Sequence, residues 1–444
     1  MNDISKSSLH RVLGVPSLVL FGLAYMVPLT IFTTYGVVTT ITKGHLPVAY
    51  IVTLFAMFFT ALSYGSMVNK QPTAGSAYNY ASKAFGSSVG FMVGWTLLLD
   101  YIFLPLINFL LIGIFLHEYF PAISAHIWII ASIALATIFN ILGIKLVAKM
   151  NFIIVGAQAI FLIVFFALTF AMVLKGDAPS IISPFIGDDL KLNSIVAGAA
   201  ILCLSFLGFD AISTLSEEAH NPRRSVPIAI IFCTLIAGLL FIITAWAGHL
   251  VFPNWQDFKN EDTAATDVMA RLGGHFLVTF FTAAYIAGAF ASAMASQVSV
   301  VRILYSMGRD NMLPNRIFGV ISKKFGTPIG ATLVVSLVSL LALVMSVTFA
   351  VNMISFGALA AFSFVNLSVI KVLFIDQKQN KGSKLIIYGV LPFIGFLFTL
   401  WLWTSLSSIT FIIGMIWFAI GFIYLLYLTR FFKIKPKEFN MEDE

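Results

Sequence analysis

The sequence predicts an all-α integral membrane protein with twelve transmembrane helices. Of its 444 residues, 59% are hydrophobic and only 10% are charged, whereas a soluble domain carries roughly 25% charged residues. Apolar runs long enough to cross a hydrocarbon layer about 30 Å thick recur along almost the whole chain. We therefore expect one polytopic domain over 1–444, embedded in the lipid bilayer of a cell membrane, plasma or bacterial inner.

The predicted helices are joined by short loops. Their even number puts both termini on the same side of the membrane. The expected spans are 13–41, 47–69, 88–116, 124–143, 151–175, 193–217, 225–252, 275–306, 330–349, 352–374, 385–404 and 409–430.

The positive charges indicate which side that is. With the N-terminus inside, only Lys43, Lys175, Lys191, Lys259 and Arg271 fall outside, and the other 21 of the 26 Lys and Arg residues fall inside. Such a bias in short loops sets orientation, so an N-in, C-in topology is predicted. The net charge of +7 does not indicate a nucleic-acid partner, because the basic residues are scattered and form no stripe.

Enzyme motifs are not found in a catalytic context. The only G-x-S-x-G match, at 86–90, precedes a membrane helix and follows no strand, so it lacks the elbow geometry of a nucleophilic serine. The seven histidines lack metal-ligand spacing. We expect no catalytic group, metal or cofactor.

The first and sixth predicted helices differ from the other apolar segments. Gly22 and Pro28 lie within the first, and Gly208 and Asp210 lie near the middle of the sixth. Glycine weakens a helix and proline removes a backbone donor, so both helices are candidates for interruption. Kinks in packed helices would leave the same pattern, but two breaks at matching depth favour a cavity.

The two breaks fall five helices apart, in the first and sixth crossings, which is the spacing of an inverted repeat. The chain then divides into a five-helix repeat over 13–175, a second repeat over 193–374 and two peripheral helices over 385–430. In this architecture a small solute binds near the bilayer midplane, between the two interruptions.

Asp100 and Asp210 are the only acidic residues predicted deep in the membrane. An intramembrane carboxylate is costly and is usually functional, so each is a candidate to bind an ammonium group or to carry a coupling proton. The structural alternative is that they bond backbone N–H groups exposed at the broken helices. Aromatic residues near these positions are candidates for stacking on an ammonium group; these are Tyr25, Tyr101, Phe206 and Phe209.

Four charged residues lie at the inner end of the sixth helix. Glu217 and Glu218 close the helix, and Arg223 and Arg224 follow a short loop. A charge pair here would latch a cytoplasmic gate, whereas an ordinary solvated helix end is the alternative.

Seven strings, spread over the first ten helices in order, resemble the amino acid–polyamine–organocation transporters, and within them the bacterial putrescine importers. They are GLAYMVPLT (22–30), LSYGSMV (62–68), PTAGSAYNYASK (72–83), VGFMVGWTLLLDYIFLPLIN (89–108), LSFLGFDAISTLSEE (204–218), RILYSMGRDNMLPNRIFG (302–319) and ISFGALAAFSFVNLSVI (354–370).

This resemblance implies a LeuT-like fold and a secondary active transporter that works by alternating access. It implies import of putrescine or a related small amine, coupled to protons, with an amino-acid permease or exchanger of the same fold as the alternative. It also places the substrate beside Gly22, Leu23, Ala24, Tyr25, Phe206, Leu207, Gly208, Phe209 and Asp210.

Two positions distinguish subgroups within this resemblance. Many amino-acid transporters of the family have a Lys in the fifth helix where this chain has Gln158. The putrescine importers also have Gln at that position. Those importers read D-T-F-G in the first helix, whereas this chain reads Thr33-Thr34-Tyr35-Gly36. The acid that would bind one amine of putrescine is therefore missing, which leaves a monoamine or an amino acid open as substrate.

Overall fold

The helical architecture is that of a membrane protein. The computed structural model describes residues 11–176, 178–259, 261, 264–404 and 406–433. We number the long helices α1 to α12 and divide the first and sixth into halves a and b. Their bounds are α1a Val15–Met26, α1b Tyr35–Ile41, α2 Leu46–Lys70, α3 Ser87–Tyr119, α4 Ala125–Leu142, α5 Ile144–Leu174, α6a Leu192–Leu202, α6b Ala211–Glu218 (a 3-10 helix), α7 Pro222–Val251, α8 Ala264–Arg309, α9 Ile329–Ser339, α10 Val347–Val369, α11 Leu391–Trp403 and α12 Ser408–Leu428.

Eleven segments of the described residues are long and apolar enough to cross a membrane. The apolar stretch Ile329–Leu343, at the predicted ninth crossing, is shorter; at 1.5 Å per residue it spans about 22 Å. The all-α membrane fold is thus confirmed. The count of twelve crossings, the division into two repeats and the N-in, C-in orientation stay predictions.

The first crossing is interrupted at Val27. This residue has φ 54 and ψ 101, and the following Pro28 begins a 3-10 turn that runs to Thr33. Proline is accommodated there because the first turn of a helix leaves its N–H groups without intrahelical partners. Gly22 lies inside α1a rather than at the break. A Cβ on Gly22 would lie 2.6 Å from Cys233 Sγ, so this glycine allows α1a to pack closely against α7.

The sixth crossing is interrupted over a longer stretch. α6a ends at Leu202, a 3-10 turn continues to Phe206, Leu207 is extended, and Gly208 has φ +134. A side chain rarely adopts that conformation, so glycine is the residue that permits the chain to turn here. Both interruptions predicted in the sequence are present, and each lies within a few residues of the expected position.

Other helix boundaries differ from the predicted ones for local reasons. α5 begins at Ile144 and not near 151, because Gly143 (φ +117) ends α4 and the basic residues Lys145 and Lys149 still fit on a helix. α10 begins at Val347, where the Ser346 side chain caps the helix by accepting the N–H of Phe349. A short helix, Ala77–Phe85, lies where only a loop was expected.

The last two helices lie at the edge of the molecule. α11 packs on α2 and α10, and α12 packs on α3 and α10. Trp95 and Trp417 join α3 to α12: each indole N–H donates to the other residue's carbonyl, at 3.0 and 2.8 Å, and the rings stack 4.8 Å apart. The peripheral position expected for these two helices agrees with this packing.

The break in the sixth crossing should not tolerate a side chain. Gly208→Ala places a Cβ 2.7 Å from Tyr25 Cδ1 at a residue with φ +134. We expect the free energy of unfolding to fall by about 1–3 kcal/mol, since backbone strain and overpacking both act. Thermal unfolding of the purified protein in detergent measures this loss. Gly156→Ala is the matched control, because a Cβ there meets nothing within 4 Å; equal melting temperatures for the two variants would contradict the close approach.

Candidate functional site

The two interruptions meet in the middle of the molecule. Gly208 of the sixth crossing approaches the Tyr25 ring so closely that a Cβ would not fit between them. The Tyr25 carbonyl, which lies at the end of α1a, accepts a hydrogen bond from Ser292 Oγ of α8 at 2.6 Å. Ser292 Oγ in turn accepts from Asn108 Nδ2 of α3 at 3.0 Å. A carbonyl released by the break is thus partnered by side chains of α3 and α8.

A cavity of about 150 Å³ lies beside this junction. Its wall comes from both broken crossings and from α3, α8 and α10, and every lining side chain is uncharged. The polar lining residues are Tyr25, Thr30, Thr33, Thr34, Asn108, Ser205, Tyr285 and Ser292. Thr33 is exposed although it lies within the first crossing, and it shares a 2.9 Å hydrogen bond with the Tyr285 hydroxyl. The cavity therefore offers hydroxyl, amide and backbone groups to a small polar solute.

Asp210 lies just beyond the sixth-crossing break and is 1% exposed. Its Oδ2 accepts from the Tyr101 hydroxyl at 2.6 Å, and its Oδ1 accepts the N–H of Gly208 at 3.2 Å. This carboxylate therefore does bond a backbone N–H at the broken helix, as the structural alternative expected. Bonding to Gly208 also fixes the carboxylate next to the junction of the two breaks.

Asp100 is also 1% exposed and lies on α3, one residue before Tyr101. Among the described residues its Oδ1 has no hydrogen-bond partner, nor has the hydroxyl of Tyr25. Asp100 interacts electrostatically with Asp210 and with Tyr25. The two intramembrane acids thus form one cluster, and Tyr25 belongs both to that cluster and to the cavity wall.

The order of residues along the helices places this acid cluster. Asp210 follows Leu207, which lines the cavity, in the direction of the end of α6b, and Asp100 precedes the cavity residue Leu104 on α3. Both acids therefore lie between the cavity and the end of the molecule where Glu217 and Glu218 are found.

Buried ion pairs close that end of the molecule. Arg302 Nη2 of α8 donates to Glu218 Oε1 at 2.6 Å, and both side chains are at most 3% exposed. The Glu218 carbonyl also accepts the N–H groups of Val12 and Leu13 at 2.9 and 3.0 Å. The segment before α1a is thereby tied to the end of α6b.

Glu217 makes a second set of bonds at the same end. Its carboxylate accepts two hydrogen bonds from the Arg309 guanidinium, at 3.0 and 3.1 Å, and the N–H of Ala74 at 3.1 Å. The sequence had suggested Arg223 and Arg224 as the partners of these two glutamates. Arg223 and Arg224 are exposed, and the ion pairs of Glu217 and Glu218 join α6b to α8 instead. Gating by these charges stays a prediction.

The remaining predicted site residues mostly pack helices together. Leu23 and Ala24 are buried within α1a away from the cavity wall. Phe206 packs edge-on against Phe241, and Phe209 stacks on Phe362 with ring centroids 5.4 Å apart. Leu207 and Tyr25 line the cavity, Tyr101 holds Asp210, and Gly208 permits the contact of the breaks.

Several cavity residues were missed by the sequence reasoning. Asn108, Ser205 and Ser292 are single polar residues inside apolar runs, and that isolation was the available signal. Arg302 and Arg309 lie at the end of α8. The residues around them do not indicate that they pair with acids about ninety residues earlier in the chain.

Comparison with known proteins identifies the family. The family model for amino acid permeases matches residues 17–432. The chain belongs to the amino acid permease family. This permease is a transporter rather than an enzyme, and it is a multi-pass protein of the cell membrane.

Individual relatives differ in what they carry. The low-affinity putrescine importer PlaP of Escherichia coli (strain K12) is 40% identical over 435 residues, covering 97% of this chain and 96% of the relative. The branched-chain amino acid permease BcaP of Bacillus subtilis (strain 168) is 25% identical over 97% of this chain and 95% of its own length. The methylthioribose transporter of the same organism is 27% identical over 96% of this chain and 95% of its own length. The resemblance to putrescine importers is thus confirmed.

Removing one charge of the buried ion pair should destabilise the closed end of the permease. Glu218→Gln leaves the Arg302 guanidinium buried without its counter-charge, and the expected cost is about 3–5 kcal/mol. Thermal unfolding in detergent measures it. Arg224→Gln removes an exposed charge in the same region and should change stability by no more than about 0.5 kcal/mol. If Glu218→Gln behaved like Arg224→Gln, the ion pair would have no structural role.

Proposed function

We propose that this permease imports putrescine or a related small amine by alternating access, with the cavity between the two breaks as the substrate site. The observation that carries the proposal is the position of this cavity next to two buried carboxyl groups. The 40% identity to a putrescine importer along nearly the whole chain supports the substrate class.

The chemistry of the site suits an ammonium group. Hydroxyl and amide oxygens of the wall accept hydrogen bonds, and the ring of Tyr25 offers a π face. Asp100 and Asp210 lie behind Tyr25, where the low dielectric of the protein interior strengthens their attraction for a cation. The ammonium group of a monoamine would be attracted to this acid cluster. A diamine would place its second ammonium group among the neutral oxygens near Thr33.

The two ends of the site differ in a way that suits alternating access. The cavity reaches the exposed residue Thr33 on one side. On the other side the acid cluster and the ion pairs of Glu217 and Glu218 intervene. Release of the substrate to that side requires these ion pairs to separate, which makes them the gate in this mechanism.

Proton coupling is part of the proposal. Intramembrane carboxyl groups are the usual carriers of a coupling proton, and Asp100 and Asp210 interact with each other and with Tyr25 next to the cavity. One acid of the pair can carry the proton while the other keeps its charge for the ammonium group, so that proton and amine are bound together and cross together.

An amino acid is the second candidate substrate, and the uncharged lining of the cavity favours it. The backbone freed at helix breaks offers N–H groups to a carboxylate and carbonyls to an ammonium group. A panel of amines and amino acids, scored by ligand-induced thermal stabilisation, distinguishes the two substrate classes.

The direct test is uptake of labelled putrescine into proteoliposomes under an imposed pH gradient. We expect saturable uptake that stops when a protonophore collapses the gradient. Uptake of amino acids without any uptake of amines would overturn the amine assignment, and uptake of putrescine that ignores the gradient would overturn proton coupling.

Asp210→Asn should abolish putrescine uptake. The amide keeps the shape of the side chain but removes its charge and its ability to carry a proton. Asp257→Asn, at an exposed position after α7, is the matched control and should transport normally. The role of Asp210 is refuted if its variant, shown by thermal unfolding to be folded, imports putrescine at the control rate.

Thr33→Asp should increase affinity for a diamine. The new carboxylate would line the cavity on the side away from Asp210 and give the second ammonium group of putrescine a charged partner. We expect about tenfold tighter binding, which corresponds to ~1.4 kcal/mol. Butylamine, which lacks the second amine, is the control ligand and should gain much less. An equal gain for both ligands would argue against this pose.

A further inference from the structure

A large groove separates the peripheral helices from the core of the permease. It has a volume of about 810 Å³ and lies between α3, α10, α11 and α12, on the opposite side of α10 from the helix breaks. Its lining is almost entirely hydrocarbon, with Phe, Leu, Val and Met side chains and only a few hydroxyl groups. The groove is therefore built for an apolar occupant and not for the polar solute of the transport cavity.

The described residues do not cover this groove completely. Phe411, Met415 and Phe422 line it along α12 and remain 49%, 45% and 41% exposed. In a membrane the molecules that reach such a surface are lipids. From Phe411 to Leu425 the lined part of α12 is about 21 Å long at 1.5 Å per residue. This length is sufficient for the acyl chain of one leaflet, because one leaflet of a 30 Å hydrocarbon core is about 15 Å thick. An extended acyl chain fits this length.

One end of the groove is basic. After α12 the chain reverses through Arg430, Phe431 and Phe432, whose φ values are 48, 58 and 62. The turn is held by the N–H of Phe431, which donates to the Leu426 carbonyl at 2.8 Å. It brings the Phe432 ring against Phe422 at the mouth of the groove, with ring centroids 6.4 Å apart. The cations Arg430 and Lys433 lie on either side of Phe431 and Phe432 in sequence and are exposed.

A second positive feature lies at the same end. Ser88, in the first turn of α3, lines the groove, and the Phe91 ring one turn later lies 5.8 Å from the Tyr424 ring near the end of α12. No side chain caps the N-terminus of this long helix, so its free N–H groups and the helix dipole favour a negative charge there. Two independent features thus place positive potential at the end of an apolar groove, which is the arrangement that an anionic phospholipid requires.

We propose that this groove binds an anionic phospholipid, with an acyl chain between α3, α10, α11 and α12 and its phosphate beside Arg430 and Lys433. The contacts of α12 with the core include the Trp95–Trp417 pair, the close approach of Gly414 to Phe356, and the Tyr424 hydroxyl, which donates to the Met312 carbonyl at 3.2 Å. A bound acyl chain fills the remaining space and holds α12 against α3 and α10.

The test uses the full chain, purified in detergent and depleted of lipid. Thermal unfolding is followed while phosphatidylglycerol or phosphatidylethanolamine with the same acyl chains is added. We expect phosphatidylglycerol to raise the melting temperature at roughly tenfold lower concentration, because two basic side chains contact its headgroup. Equal potency of the two lipids would overturn the assignment of an anionic headgroup.

Variants separate the groove from the rest of the lipid-facing surface. Arg430→Gln combined with Lys433→Gln should remove the preference for phosphatidylglycerol, whereas the matched pair Lys323→Gln and Lys324→Gln, in the loop before α9, should keep it. Ala360→Trp fills the groove and should abolish the stabilisation, while Ala134→Trp, on the exposed face of α4, should not.

Native mass spectrometry supplies a readout that does not depend on the stability of the variants. The unaltered permease should retain one phosphatidylglycerol that the Arg430/Lys433 variant loses. Retention of that lipid by the variant, or a lipid-free dimer that buries the groove, would overturn the proposal.

Discussion

The contact between Gly208 and Tyr25 is the constraint on which the rest of the site depends. Peptide groups freed at membrane depth must find partners within the protein, because the hydrocarbon core offers none. In this permease nearby side chains provide partners for the peptide groups freed at both breaks. Asp210 accepts the N–H of Gly208, while Ser292 donates to the carbonyl of Tyr25. The cavity, the acids and the neighbouring helices α3 and α8 are all positioned by this arrangement.

Three sets of polar groups lie one after another between that junction and one end of the molecule. The neutral cavity comes first, the pair of Asp100 and Asp210 second, and the ion pairs of Glu217 and Glu218 last. A carboxylate is costly to bury alone; Asp210 is partnered by Tyr101 of α3, and Glu217 and Glu218 are partnered by Arg309 and Arg302 of α8. Movement of the second half of the sixth crossing relative to α3 and α8 would therefore change the partners of Asp210 and of the two glutamates together.

The fold was largely predictable because its signals are local. Long apolar runs predict crossings, and Gly208 and Pro28 indicate the breaks through their own backbone preferences. The site was less predictable. Phe206 and Phe209 resembled substrate contacts by position alone, yet their rings pack against α7 and α10.

Partners distant in sequence were the hardest part to predict. Nothing near Glu218 in the sequence indicates Arg302, since the pair forms only when α6b docks on α8. Likewise the single polar residues Asn108 and Ser292 acquire a role only when their helices bring them to the Tyr25 carbonyl. Helix periodicity carries no information about such pairings.

The most direct measurement of the central claim is an experimental density map of the permease with putrescine bound in a lipid environment. The account predicts that the first and sixth crossings are interrupted near Val27 and Gly208, with ligand density between them beside Tyr25. Two continuous α-helices with protein packed between them, and ligand density elsewhere, would contradict it.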